Sequence, residues 1–540
     1  MTTPNSISRP RLALMAVPLA AAFVLTACGD GGGADADQEA GEPQAGGVLS
    51  VGMQSDYSCL DGQQARGPEQ NIAKQILDGL TEQDIETGEI HPHLAEDWEI
   101  NEDGSEFTFH LRDDVTFHNG EEFDAESVKR NFEEVADLGA RSSLGQTYLA
   151  GLEEIEVLDD HTVRVAFEGP NAQFLSATAT ITLGFYADET LDELSAEERC
   201  QGDVIGTGPF EFESYTGQQT VSLVRNEGYA WASEVSENDG PAHLEGIEFT
   251  VIPEASVRNG SLLSGQLDVD PWVQVQDRDS LDAQDFPVHT QAIPGAPTNL
   301  WPNVNEAPLD EPEVREAVNY ALDREELASV MFEEQEGATN TVAQSTPGYE
   351  PQADLLEHDP ERAEQILEDA GWELGEDGVR EKDGERLEVE ITDYYQYNYI
   401  ELLQEQLGEV GFDAAIRTVT FSERSSILES GDFEFMTGQL PRSDVDIVRT
   451  IHAFGQQNTN QREEENDLDQ QLEDTLAITD DAERAEAVTG EISRELLEQG
   501  YAIPMVETLA VVGTGQHVHD FKFEASAARY DLYDTWISEE

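Results

Sequence analysis

The chain has 540 residues, 115 of them acidic against 28 basic, for a formal charge of −87 with histidine neutral. At ~150 residues per domain this length allows about three to four domains, or fewer large lobes. A polyanion of this kind is repelled by phosphate backbones and anionic lipid heads, which argues against nucleic-acid binding.

High charge relative to hydrophobicity can mark disorder. Here the regular apolar periodicity of the segments below, in a chain that is 38% hydrophobic, argues for a folded body. Only four of the basic residues are lysine (Lys74, Lys129, Lys382 and Lys522); the rest are arginine. A surface dense in carboxylates repels itself at low ionic strength and is relieved by screening, so the composition fits a saline exterior.

The first segment reads as an address. Arg9 and Arg11 precede an uncharged run, Leu12–Leu25, too short for the ~20 residues of a membrane-spanning helix and suited to the apolar core of a signal peptide. The run exits through Leu25-Thr26-Ala27-Cys28, which resembles a lipobox in which Cys28 is acylated. Residues 1–27 are then a signal peptide, and the Gly-, Ala- and acid-rich stretch 28–47 a flexible tether. With Cys28 so used, Cys59 and Cys200 are the remaining cysteines, and an oxidising extracellular compartment suggests that they form a disulfide.

Strand-like runs follow at Val48–Met53, Glu106–Leu111, Thr162–Phe167, Val221–Arg225 and Ile247–Ile252. The spacing of Val128, Phe132 and Val135 predicts a helix near 125–138 with Asp124 as its cap. Further amphipathic helices are expected from Asp310 as a capping residue (with Pro312 in the first turn), from Asp359-Pro360 to Gly371, and over roughly 481–499. Ile391–Tyr399, Phe412–Val419 and Phe433–Met436 suggest strands in the second half. Irregular alternation of strand and helix favours an α/β architecture. No repeat at solenoid spacing is present.

Motifs for catalysis are missing. No lysine follows a glycine, so there is no phosphate-binding G-x-x-x-x-G-K loop; there is no G-x-S-x-G elbow and no H-E-x-x-H helix. The pairs His91/His93 and His517/His519 could each offer half a zinc site, but without companion cysteines they read as surface or packing histidines. A glycosidase-type carboxylate pair would be hidden among so many acids. Neither metal nor cofactor is implied.

Longer motifs carry a resemblance. Ile90–Val135 holds, in order, Pro92, Leu94, Ala95, Trp98, the turn Asp103-Gly104, then Phe109, Leu111, Arg112, Phe117, His118 and Gly120. Gly206-Thr207-Gly208-Pro209-Phe210, Arg225-Asn226, Ile252-Pro253-Glu254-Ala255-Ser256 and the run Val314–Arg324 follow in the same chain. Together they resemble family 5 of the extracellular solute-binding proteins of ABC importers, the class that contains dipeptide and oligopeptide binders.

The resemblance implies a two-lobed, periplasmic-binding-protein-like α/β fold of the large peptide-binder type. Its lobes would be 46–297 plus 505–540, and 298–504, joined by crossing strands near Asn299–Asn305 and Ala502–Val506. It further implies a monomeric, non-enzymatic protein on the extracellular face of the membrane, held by the lipid alone and passing solute to a permease complex. Peptides are the expected solute; a nickel chelate, an oligosaccharide or an opine-like acid is the alternative within the fold. A secreted hydrolase is the competitor from a different class, and a surface sensor that binds solute and signals without import is a third possibility.

Candidate ligand-binding residues are Tyr57, just beyond the first strand, and the aromatic wall Tyr394, Tyr395 and Tyr397. The loop 438–446 adds Gln439, Arg442, Asp444 and Asp446. In peptide binders an aspartate in this loop holds the ligand's amino group. Here Gln439 stands where the family often has an aromatic and Val445 where it has proline, so Asp444 or Asp446 could serve an amine, Arg442 could take a carboxylate bidentately, or the arginine and aspartates could pair with each other to shape the loop.

Overall fold

The computed structural model describes residues 42–538 apart from 56–58, 66, 68, 218, 527 and 528, with backbone alone at 421, 422 and 425. The expected signal peptide, Cys28, most of the tether and Tyr57 lie outside the described residues. The last residues of the expected tether already belong to the body, since Gly46 N–H donates to His243 O and Glu245 N–H to Gly47 O, both at 2.8 Å.

The largest sheet has seven strands, in the spatial order Val288–Ala292, Leu509–Thr514, Val269–Asp270, Val48–Met53, Gly246–Val251, Thr220–Arg225, Phe210–Thr216. Val48–Met53 is central and parallel to both neighbours. Its alternate residues Leu49, Val51 and Met53 are buried on one face, as a period of two requires. On the other face Ser50 donates through N–H and Oγ to Asp268, at 2.8 and 2.7 Å.

A four-stranded antiparallel sheet, Ala95–Ile100, Glu106–Leu111, Thr162–Phe167 and Leu152–Asp159, lies beside it in the same half of the chain. The helix Ala125–Asp137 has the expected cap: Asp124 accepts from Ser127 N–H in a capping box. Its Phe132 meets Phe174 edge-on at 6.0 Å, and Phe174 in turn meets Phe107 at 5.0 Å, so the strand and helix patterns share one core.

Three of the stretches that carry the resemblance meet at one place, through His118, residues 206–208 and Asn226. Gly206 and Gly208 pass so close to the end of the helix Gln70–Ile76 that a Cβ would stand 2.2 and 2.5 Å from the Ile76 backbone. His118 Nδ1 accepts Gly206 N–H at 3.2 Å while Nε2 donates to Gly208 O at 3.0 Å. Asn226 Nδ2 and Trp231 Nε1 bind the Gly208 and Thr207 carbonyls, each at 3.1 Å. These residues lock a strand to a helix, and burial holds the His118 imidazole below its ordinary pKa.

The second half is built on a four-stranded sheet ordered Gly295–Pro302, Phe435–Pro441, Glu388–Asp393, Asp413–Thr418, with a core of its own drawn from Leu300 to Phe435 and resuming at Ile503–Val506. Gly295–Pro302 begins before the crossing expected at Asn299. The segment 503–506 runs against it: Leu300 N–H donates to Ile503 O at 2.9 Å and Met505 N–H to Thr298 O at 2.7 Å.

Four expectations are corrected. The helix after Asp310 spans Pro312–Ala321, and Glu311, not Asp310, stands at its cap without a side-chain cap bond, because that carboxylate is taken by Lys382 Nζ at 2.6 and 2.7 Å. The helix near 481–499 is interrupted by a π-turn at Val488–Ile492. The strand expected over Ile391–Tyr399 ends at Asp393, and the chain bends, with Gln396 at a φ of 56°. The strand expected over Phe433–Met436 is Phe435–Pro441, which carries on into the loop of interest. Cys59 and Cys200 are joined by a disulfide across 141 residues.

Candidate ligand-binding site

A cavity of about 920 Å³ lies where the two halves face each other, near the upper end of the roughly 300–1,000 Å³ usual for small-molecule sites. From the first half it is lined by the helix Gln70–Ile76 and by Pro271–Val275; from the second by the bend 394–399 and the strand end 439–443.

The bend exists because the Glu388–Asp393 strand terminates on its own last carboxylate. Asp393 Oδ1 accepts Thr437 Oγ1–H at 2.9 Å and Tyr395 N–H at 3.2 Å, and the backbone turns around it. The turn fans the tyrosines into a wall: ring centroids are 4.5 Å apart for Tyr394/Tyr395, 5.1 Å for Tyr395/Tyr397 and 5.0 Å for Tyr397/Tyr399. Tyr394, Tyr395 and Tyr397 all line the cavity, and Tyr395 is the most exposed of them. Gln439 lines it too, with its side-chain carbonyl Oε1 buried and unpartnered.

Arg442 reaches across the cleft. Its Nη2 donates to Gln173 Oε1 at 2.5 Å, and its guanidinium lies 5.0 Å from the Tyr148 ring centre, both on the first half. On its own side it donates to Thr450 Oγ1 at 3.0 Å and stands 3.5 Å from Asp446. Ser443 makes a second bridge, to Gln83. Arg442 touches the cavity but is only 7% exposed.

Asp444 and Asp446 are not among the cavity-lining residues. Asp444 binds Arg484 Nη2 at 2.7 Å and Asp446 binds Arg449 Nε at 2.7 Å, all four buried. Burial works against the charge on Asp444, but Arg484 and then Arg442 outweigh it and hold the carboxyl below its ordinary range. Both aspartates are thus turned to guanidinium groups, because the loop folds back over the helix Ile447–His452 that carries Arg449. The structure brings the three tyrosines, Gln439 and Arg442 together and leaves the two aspartates outside.

Sequence reasoning missed several cavity residues. Lys74 and Lys522, two of the four lysines, line it, as do Arg424 and Arg529. In a chain nearly purged of lysine, the survivors were the available signal. Burial penalises the Lys74 ammonium, yet Glu82 and Asp531, 3.2 and 3.3 Å away, outweigh it and push its pKa up. Of the histidine pairs, His93 is buried against Asp78 and Glu82, His91 meets Glu234, His517 binds Asp268 and His519 stacks on Trp536; each has a packing or pairing role.

The fold is similar to that of the oligopeptide-binding protein AppA from Bacillus subtilis, solved in complex with a nonapeptide (TM-score 0.77, 20% identity, 92% of this chain and 100% of that one). It is equally similar to NikA from Brucella suis in complex with Fe(III)-EDTA (TM-score 0.79, 22% identity, 91% and 100%). In sequence the chain is 31% identical over 348 residues to the nickel-binding periplasmic protein of Escherichia coli (strain K12), covering 61% of this chain and 63% of that protein. It is 28% identical over 321 residues to the dipeptide-binding protein of the same organism, covering 56% and 58%. The matched part therefore spans less than two thirds of the length of these relatives. The architecture is the two-lobed periplasmic-binding-protein fold expected above. With residues 89–461 matching their family 5, the chain belongs to the bacterial extracellular solute-binding proteins.

Proposed function

We propose that this chain captures di- and oligopeptides between lobes 46–297 plus 505–540 and 298–504 and delivers them to an ABC importer permease, without chemical turnover. It would act as a monomer on the extracellular face of the membrane, lipid-anchored through Cys28, with its acidity an adaptation to salt. The observation that carries this reading is the large cavity walled from both halves of the chain. A solute touching both walls stabilises the closed arrangement over any open one by the contacts it makes only there. The aromatic wall gives sequence-tolerant contact area, and bridging water can accommodate varied side chains. The dipeptide-binding relative and the nonapeptide complex support peptides as the cargo.

A second reading, a chelated metal, is favoured by the 31% identity to the nickel-binding relative and by the Fe(III)-EDTA complex of a structural neighbour. Thermal melting with pooled di- to hexapeptides, at low and at molar salt, separates the two. A ligand at ~100 times its dissociation constant adds about 2.7 kcal/mol. A rise in melting temperature with intact peptide supports peptide capture; a rise only with nickel–histidine or metal–EDTA transfers the cargo to the second reading. Equal stability at both salt levels removes the halophilic reading.

A further inference from the structure

Five basic side chains line the cavity, and four have a carboxylate at hand. Lys74 has Glu82 and Asp531, Lys522 has Asp534 at 2.8 Å, Arg529 has Glu524 at 3.5 Å and Arg442 has Asp446. The fifth is Arg424. Among the described residues no carboxylate comes within 4 Å of it, in a chain with 115 acidic residues. Arginines elsewhere that lack a carboxylate are held by backbone carbonyls, as Arg315 is by Leu309 and Gln499 and Arg324 by Pro504 and Asn319. Arg424 instead lies 5.1 Å from the centre of the Tyr394 ring and interacts with its hydroxyl, and its Nε–H is buried with no hydrogen-bond partner among the described residues.

Local structure explains why its nearest acid does not serve. Arg424 sits in the first turn of the helix Phe421–Ser430, where the adjacent Glu423 closes the capping box: its Oε2 accepts Thr420 N–H at 2.8 Å and Thr420 Oγ1–H at 2.7 Å. The surroundings of Arg424 are polar and under-satisfied in the same way. The Tyr394 ring packs on Tyr395, whose hydroxyl interacts with the Gln439 side chain. Among the described residues, Gln439 Oε1 and the Tyr397 hydroxyl are each buried and unpartnered. A buried donor or acceptor left unpaired is costly, and three of them around one wall of one cavity ask for the same visitor.

We propose that Arg424, Gln439 and Tyr397 form a subsite for a carboxylate that carries an N–H or O–H donor beside it, the carboxylate on the Arg424 guanidinium and the donor on Gln439 Oε1. The idea rests on the solute-capture reading and narrows it: the cargo is anionic at the end that meets the tyrosine wall. Guanidinium matches carboxylate by shape as well as charge, which a lysine at this position would not reproduce. The carboxylate can belong to the C-terminus of a peptide or to a non-peptide acid, such as the acid arms of a metal chelator.

The test is calorimetric titration of the full-length chain in detergent with trialanine, trialanine amide and citrate, for the unaltered protein and for Arg424→Gln and Arg424→Lys. Melting of each variant without ligand shows whether it is folded. The expected result is trialanine binding at least about 30-fold tighter than its amide, a preference that Arg424→Gln erases and Arg424→Lys only partly keeps. If trialanine fails to bind while citrate binds and Arg424→Gln weakens it by a similar factor, the peptide reading falls and the carboxylate subsite stands. Equal binding of acid and amide, a preference that survives in folded Arg424→Gln, or no binding of any of the three probes overturns the subsite.

Discussion

Arg442 and Arg424 line the same cavity on the same half of the chain, yet they stand in opposite conditions. Arg442 is saturated: a glutamine and a tyrosine ring across the cleft, a threonine and an aspartate on its own side. Arg424 has a tyrosine ring and an unused N–H. The difference teaches that a cation in a binding cleft has two separate uses. One fastens the walls to each other, and the other is held in reserve for whatever enters between them. The state of the partners, not the residue type, tells them apart.

The carboxylate-paired side can be broken hardest at Arg484, whose Nη2 alone serves both Asp444 and Asp481. Arg484→Ala leaves Asp444 buried beside one remaining arginine, and loss of a buried partner costs about 3–5 kcal/mol, measured by denaturant unfolding. A cost below about 1 kcal/mol would mean that Arg442 alone can neutralise the loop, and that the two arginines share one role. Arg442→Ala removes the bonds to Gln173 and Thr450 and should cost about 1–3 kcal/mol, with a larger radius of gyration in solution scattering as the cleft loosens. An unchanged radius would show that Ser443 and the crossing segments hold the walls without it.

The comparison has an anionic side as well. Glu507, just past the crossing segment, is buried with Oε1 unpartnered, and among the described residues no basic side chain lies within 4 Å of it. Burial first, then Glu336, push its carboxyl up from the ordinary 4.5 to about 8. The folded-state value stands above the unfolded one, so the proton is bound more tightly in the fold. That contribution is full below the unfolded value and drains away as pH climbs to about 8, at on the order of 1.4 kcal/mol per pH unit. Glu507→Gln should flatten this decline, and parallel pH profiles for the two proteins would assign it to another group. The smallest expected effect is on the uncommitted cation: Arg424→Gln, without ligand, should shift stability by no more than about 0.5 kcal/mol. A loss like that of Arg442→Ala would make Arg424 a structural residue and dissolve the contrast.

How much of this the sequence disclosed follows from how local each cause is. Val48–Met53, Glu106–Leu111 and Thr162–Phe167 occur as expected because alternation and burial agree within six residues. Asp124 is legible as a cap for the same reason. The strand that stops at Asp393 was not, since what stops it is Thr437 from a neighbouring strand. The tyrosine wall was visible as composition, but only the bend turns it to the cavity. Asp444 and Asp446 look available in a loop sequence, and their engagement comes from Arg484, forty residues on, and Arg449. Arg424 escaped notice because Glu423 stands next to it, and that its neighbour is occupied by Thr420 is read only from the capping geometry.

The tying of guanidinium groups to carboxylates and carbonyls has a consequence for how such a chain lasts among proteases. Trypsin-like proteases need a basic side chain that can extend into their pocket, and here four lysines and mostly pinned arginines leave few to offer. Endopeptidases that cut after glutamate face the opposite surface, crowded with solvent-facing acids. The lifetime of the folded body would therefore be set by which class of protease its surroundings contain, and much less by how many.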